Sequence, residues 1–337
     1  MIGRLSRRGT LAGMASASLV AGVTISAGLP RRARGADPVM VRLTAGANIG
    51  YSDLYVAEAE GIFTKYGIDG SVLLFDVGFL GTQAVVAGQA ETAGTVEFPV
   101  MALVAKGADL IIPAVFITAD DLRIVTLSTI EKPADLEGKT IGLIHGSSAD
   151  YAFDRYLSHF GVPRDSLSIV NVAAAEQVAL FAKGDIDGFV WLEPLISRSL
   201  EIMQGRAHIL DPNIAAVYRT RTYLEMRRDW CDEHPEATEN LLRAMIEANE
   251  FIKANPADTA RITAQKLNLQ PDDVAKQLER INFDWSVYLD KESLDGFGPV
   301  GEWMKANGRL EGELPDMSKV FEPKYLRAVD PSLVRGL

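Results

Sequence analysis

Thr140-Ile-Gly-Leu-Ile-His-Gly-Ser-Ser-Ala-Asp-Tyr-Ala-Phe-Asp-Arg-Tyr156 is the stretch whose reading decides the fold. Its apolar run at 141–144 is short, bounded by Gly138-Lys139 on one side and Gly146 on the other. That is the pattern of a core strand in an α/β sheet. Ser147, Ser148 and Asp150 are all residue types that cap helices, so the stretch reads as strand, tight turn, helix. Such a turn aims free backbone N–H groups and two hydroxyls at one point, where the helix dipole favours an anion or polar acceptor. An ordinary capped turn with no ligand has the same local sequence.

Working outward, 337 residues are too many for one typical domain, and two are expected. The hydrophobic content of 47% supports sizeable cores. The formal charge is −11, but residues 1–36 hold six arginines and no acid, so the remainder carries 28 basic against 45 acidic residues, a net −17. So acidic a surface argues against nucleic acid and anionic membrane as partners. A single cysteine, Cys231, excludes an internal disulfide and a cysteine metal cluster. The four histidines (145, 159, 208, 234) show no zinc-ligand spacing. No metal and no cofactor are expected.

The N-terminus reads as a targeting segment, set apart from the fold. Arg4, Arg7 and Arg8 precede a weakly apolar stretch at 11–29, and Ser6-Arg7-Arg8-Gly9-Thr10-Leu11 resembles a twin-arginine export signal, with Thr10 where Phe is commoner. Arg31, Arg32 and Arg34 follow the apolar stretch, which suits that route. With no cysteine near the signal, a lipoprotein anchor is not expected. The mature chain is expected in a periplasm, not inserted in the membrane, and monomeric.

From 39 to 127 the chain alternates strand, helix and glycine stop, with strands at 39–45, 72–75, 91–96, 110–116 and 124–127. Helices fall at 53–60, 80–87 and from Pro99, the last stopped by Gly107. The rhythm resumes after the focal stretch with strands at 168–172, 188–191 and 207–210. A last strand is placed at 217–219, and the rest reads as helical, with helices from Pro235 and at 259–267, 271–281 and 292–307. This order gives βα units and a largely parallel sheet. A faint internal echo links Ala87-Gly88…Glu97 to Ala182-x-Gly184…Glu193. Since ligands in open α/β sheets bind beyond the carboxyl ends of strands, two such halves would set Glu97 and Glu193 on opposite walls of a cleft.

Seven motifs then occur in order. They are Leu54-Tyr-Val-Ala-Glu-Ala-Glu-Gly-Ile-Phe63, Ala84-Val-Val-Ala-Gly-Gln-Ala-Glu91, Lys106-Gly-Ala-Asp-Leu110, Asp135-Leu-Glu-Gly-Lys-Thr-Ile-Gly142, Lys183-Gly-Asp-Ile-Asp-Gly188, Trp191-Leu-Glu-Pro194 and His234-Pro235. Together they make residues 40–260 resemble the periplasmic solute-binding proteins of ABC importers for taurine, alkanesulfonates, nitrate and thiamine pyrimidine precursors. The resemblance implies a type II periplasmic-binding fold, two α/β lobes with a central cleft and two hinge crossings. The lobes are expected at 37–121 plus 216–337, and at 122–215. Permease and ATPase subunits are the implied partners.

The resemblance also implies site residues. Ser147 and Ser148 match the turn that binds the anionic group in sulfonate-binding members, Tyr151 a tyrosine that often follows, and Trp191 a tryptophan closing the second-lobe strand. Glu97 departs from the small hydroxyl residues of sulfonate binders. If it faces the cleft, with Asp120, Asp121 and Glu193 near it, the pocket would favour a cation, and Tyr51, Tyr55, Phe98 and Trp191 could stack on a ring or a cation. Two ligand classes fit. One is a taurine-like zwitterion, its anion on Ser147 and Ser148 and its amine on Glu97. The other is an aminopyrimidine-like or other amine heterocycle, stacked on Trp191 and bonded by Glu97 and Glu193. Two readings of other kinds remain beside transport. A sensory binding subunit shares the fold. A pyrimidine-synthase-like enzyme needs an iron-linked cysteine cluster, which one cysteine cannot supply.

Overall fold

Among the described residues, eleven strands form two larger sheets, and Leu289–Asp290 pairs with Val334–Arg335 in a separate two-stranded one. The computed structural model describes residues 37–75 and 78–337; the export signal expected at 1–36 lies outside them. The strands are β1 (Val39–Gly46), β2 (Ile68–Phe75), β3 (Thr92–Thr95), β4 (Leu110–Ala119), β5 (Arg123–Leu127), β6 (Thr140–Leu143), β7 (Ser168–Asn171), β8 (Gly188–Trp191), β9 (Ala207–Ile209), β10 (Thr220–Arg227) and β11 (Phe283–Asp284). The first sheet has the order β11-β4-β10-β3-β1-β2 and the second β7-β6-β8-β5-β9.

The chain passes from β4 to β5 through residues 120–122 and returns from β9 to β10 through 210–219. In each sheet the strand that follows a crossing runs antiparallel to its neighbours. β10 pairs so with β3 and β4, and β5 with β8 and β9. The remaining contacts among β1, β2 and β3, and among β6, β7 and β8, are parallel. All ten residues of β4 are buried, as a strand covered on both faces requires. One large core gathers the first sheet and the C-terminal helices, and two smaller ones flank the second sheet.

Two expected elements differ. The strand expected at 217–219 is displaced: a 3-10 turn at Ile214–Ala216 precedes β10, which begins at Thr220 and runs through the middle of the first sheet. Its Arg221, Glu225 and Arg227 interrupt the apolar pattern. The helix expected at 292–307 is two helices, Lys291–Asp295 and Phe297–Ala306, divided at Gly296, where a helix interior is least favourable.

Candidate functional site

After β6 the chain turns at Gly146, whose φ of +75° suits glycine. Ser147 is extended and caps the Ser148–His159 helix: its Oγ accepts the Asp150 N–H at 3.3 Å and donates to the Ile144 carbonyl at 2.6 Å. Asp150 answers by accepting the Gly146 N–H at 2.9 Å, and Arg164 clamps Asp150 at 2.6 Å. The turn is thus fixed from both sides before any ligand arrives. Ser147 spends its hydroxyl on this cap. Ser148 does not, and as the first helical residue it shares with Ala149 the N–H groups that have no intrahelical partner.

A cavity of about 480 Å³ opens between the two sheets, with Gly146, Ser147, Ser148 and Trp191 on one wall and Asn48, Tyr51, Thr95 and Phe98 on the other. Three helices begin at its lining, Gly78–Val86, Glu97–Val104 and Ser148–His159. Their N-terminal dipoles give the space a positive bias. Lys106, His145 and Arg309 line it as well, and no carboxylate does so among the described residues. Among those residues, no acid pairs with Lys106 or Arg309. Within a chain of formal charge −11, this is a local basic pocket.

Of the nine residues singled out from the sequence, five line this cavity: Tyr51, Phe98, Ser147, Ser148 and Trp191. Tyr51 is anchored by its Oη to the Gly94 carbonyl at 3.0 Å, and a Cβ at Gly94 would come within 2.6 Å of the Tyr51 ring. The other four are elsewhere. Glu97 is 3% exposed and borders a separate cavity of about 190 Å³. It accepts hydrogen bonds from Tyr218 Oη at 3.4 Å and Tyr223 Oη at 3.3 Å. Burial raises its carboxyl above the usual range, against its own N–H, the Arg221 charge and those two hydroxyls. Glu193 accepts from the Ser197 N–H at 2.9 Å and from Arg280 at 2.7 Å, so it caps a helix and ties it to the Pro271–Arg280 helix. Asp120 is paired with Arg219 and accepts from Asn282 at the first crossing. Tyr151 packs among Phe98, Trp303 and Tyr218, with ring centroids 5.5–5.9 Å away.

The acid-rich pocket expected from Glu97, Asp120 and Glu193 is therefore replaced by a basic one. Helix geometry explains why. Glu97 is the first residue of its helix, and its side chain turns toward Tyr218 and Tyr223 while the preceding Thr95 and Val96 line the cavity. Thr95 thus supplies the small hydroxyl residue whose absence Glu97 had suggested. Met304, on the Phe297–Ala306 helix, and Arg309, just past its end, reach the cavity from far along the sequence. Only the helix stop at Asn307-Gly308 hints at a turn there.

A smaller space of about 50 Å³ adjoins the cavity, sharing Asn48, Tyr51, Val96, Ser148 and Leu192 with it. Asp121 borders it and is 9% exposed. Burial lifts its carboxyl to about 6, opposed by the Thr220 hydroxyl, backbone N–H groups and the Arg123 charge. The chain's thiol takes no part: Cys231 is fully buried in the first core, pushed up to about 12 by desolvation.

Two sheets joined by two crossings, with a cavity between them, make up the periplasmic-binding-protein fold. The chain belongs to the NMT1-like family, whose model matches residues 34–268. A Brucella abortus (strain 2308) protein provisionally named a binding protein is 25% identical over 293 residues, 86% of this chain and 90% of that one. The taurine-binding periplasmic protein of Escherichia coli (strain K12) is 26% identical over 216 residues, 60% of this chain and 63% of that one. The crystal structure of the periplasmic aliphatic sulphonate binding protein SsuA from Escherichia coli shares the fold with a TM-score of 0.74, at 18% identity, covering 86% of this chain and 99% of that chain. No helix among the described residues is long and apolar enough to cross a membrane.

Proposed function

We propose that this protein is the solute-binding subunit of an ABC importer and captures a small organic anion of the sulfonate or taurine type. The observation that carries the reading is the basic cavity. The Gly146-Ser147-Ser148 turn and three helix N-termini converge on it, and the described lining holds no carboxylate. Names among the relatives point the same way, a taurine-binding periplasmic protein and an aliphatic sulfonates-binding protein. In this reading residues 37–121 plus 216–337 form one lobe and 122–215 the other. The anion closes them, because only the closed form offers both walls. Export by the twin-arginine signal places the subunit in the periplasm, where the closed form docks on permease and ATPase subunits.

The aminopyrimidine-like alternative loses Glu97 and Glu193, the two carboxylates it relied on, and keeps only the rings of Trp191 and Phe98. A thermal-shift series on the mature protein separates the two. A sulfonate at 100 times its Kd adds about 2.7 kcal/mol of stability. Stabilisation by aminopyrimidines with none by sulfonates, taurine or carboxylates would overturn the reading.

A further inference from the structure

We infer that Asp121 reads an ammonium group, so that the solute is an amino-substituted organic anion rather than a plain one. The inference rests on the organic-anion reading above and adds a second recognition point to it.

The side space at Asp121 is about 50 Å³, against about 480 Å³ for the main cavity, which suits a small group better than a ring. Ile117, Ala119 and Phe283 form apolar parts of its wall. One Asp121 carboxylate oxygen accepts from Thr220 Oγ1 at 2.6 Å. The Arg123 charge is felt at Asp121 but no hydrogen bond joins them: Arg123 Nη1 donates to the carbonyls of Asp120 and Leu122. No ion pair reaches Asp121 among the described residues, although Asp120, its neighbour in sequence, has one with Arg219. A nearly buried carboxylate without an ion pair is costly, and this one borders a side space that shares five lining residues with the ligand cavity.

The position of Ser148 limits the ligand. Ser148, Asn48 and Tyr51 border both spaces. An anion at the Ser148 end of the helix and an ammonium at Asp121 are therefore only a few bonds apart, as in short ω-amino sulfonates and carboxylates. The cation expected at Glu97 is assigned instead to Asp121, just past the end of β4, one of the acids that the sequence also places near the cleft.

The test compares matched pairs by calorimetry: taurine with ethanesulfonate, and β-alanine with propionate. The mature protein is expected to bind the amino member of a pair at least about 100-fold more tightly, since a site built around a buried polar group rejects the analogue that leaves it unpaired. Asp121→Asn is expected to bring the two members within about 3-fold, chiefly by weakening the amino member, with a melting temperature close to that of the wild type showing that the variant is folded. Should Asp121→Asn fail to fold, Asp121→Ser takes its place, and the wild-type comparison needs no variant. Anion binding without preference for the amino member overturns the assignment of Asp121 and leaves the organic-anion reading standing. So does amine preference that persists in the variant. If none of the four solutes binds, both fall.

Discussion

At Ser147 and Ser148, adjacent hydroxyls have different duties. Ser147 both accepts and donates within the turn, so Ser147→Ala should cost about 1 kcal/mol of stability, as lost helix caps do. It should change anion affinity little beyond what the loosened turn causes. Ser148→Ala should leave the melting temperature in place and weaken anion binding about 10-fold or more, the worth of one hydrogen bond to a charged group. Melting curves and titration calorimetry on the two variants check this; equal effects on binding would deny the division of labour. The residue types of the turn were legible because caps are local chemistry. Glu97 was not: whether a first-turn side chain faces a cleft or a neighbour depends on Tyr218 and Tyr223, more than a hundred positions away. Asp120 and Asp121 could not be ranked from sequence either, since they differ only in which of two crossing neighbours, Arg219 or Thr220, each meets.

The same contrast appears among elements. Strands bounded by glycine were readable because each is a continuous apolar run. β10 was not, because a strand at the centre of the first sheet carries Glu225, fully buried with neither carboxylate oxygen partnered among the described residues. In register, Glu225 lies opposite Ala93, which lies opposite Thr44, so a small residue leaves room for the acid. Desolvation lifts Glu225 from 4.5 to about 8. Asp53, also fully buried, is lifted from 3.8 to about 8. Between these values the folded chain holds protons that the unfolded chain has released, so stability falls as pH rises from about 4.5 through about 8. The mature protein should melt at a higher temperature at pH 5.5 than at pH 8.5. Glu225→Gln, neutral at every pH, should flatten that slope and raise stability at pH 8.5 by a few kcal/mol at most. A slope unchanged in the variant would mean that Glu225 ionises without cost where it sits.

Across the whole molecule, the two sheet halves are joined by contacts that no ligand makes. Arg280 reaches Glu193 at 2.7 Å, and the Trp303 indole donates to Asp154 at 2.6 Å, while Arg164 grips Asp154 from the far side. Arg309 lies against Gly146. Three of these links start from the C-terminal segment after 270, so that segment serves as a strap across the cleft as well as a cover for the first core. The sequence shows Trp303 as a packing residue on a helix; that its polar edge crosses to the second half follows only from where the Phe297–Ala306 helix lies. On the lobe closure proposed above, such links favour the closed arrangement whatever the solute, and a ligand's apparent Kd rises as the closed fraction falls. Trp303→Phe keeps the ring and removes the hydrogen bond to a charged acceptor, worth roughly 1.5 kcal/mol. It should weaken taurine and ethanesulfonate by the same factor, about 10-fold, because it acts on closure and touches neither ligand. Arg280→Met removes a pair whose arginine is partly exposed, so solvent screening limits its effect to about 5-fold. Small-angle scattering of the unliganded variants should show a larger radius of gyration than the wild type, with the difference vanishing at saturating ligand. A loss confined to one of the two solutes would place Trp303 in recognition instead of closure.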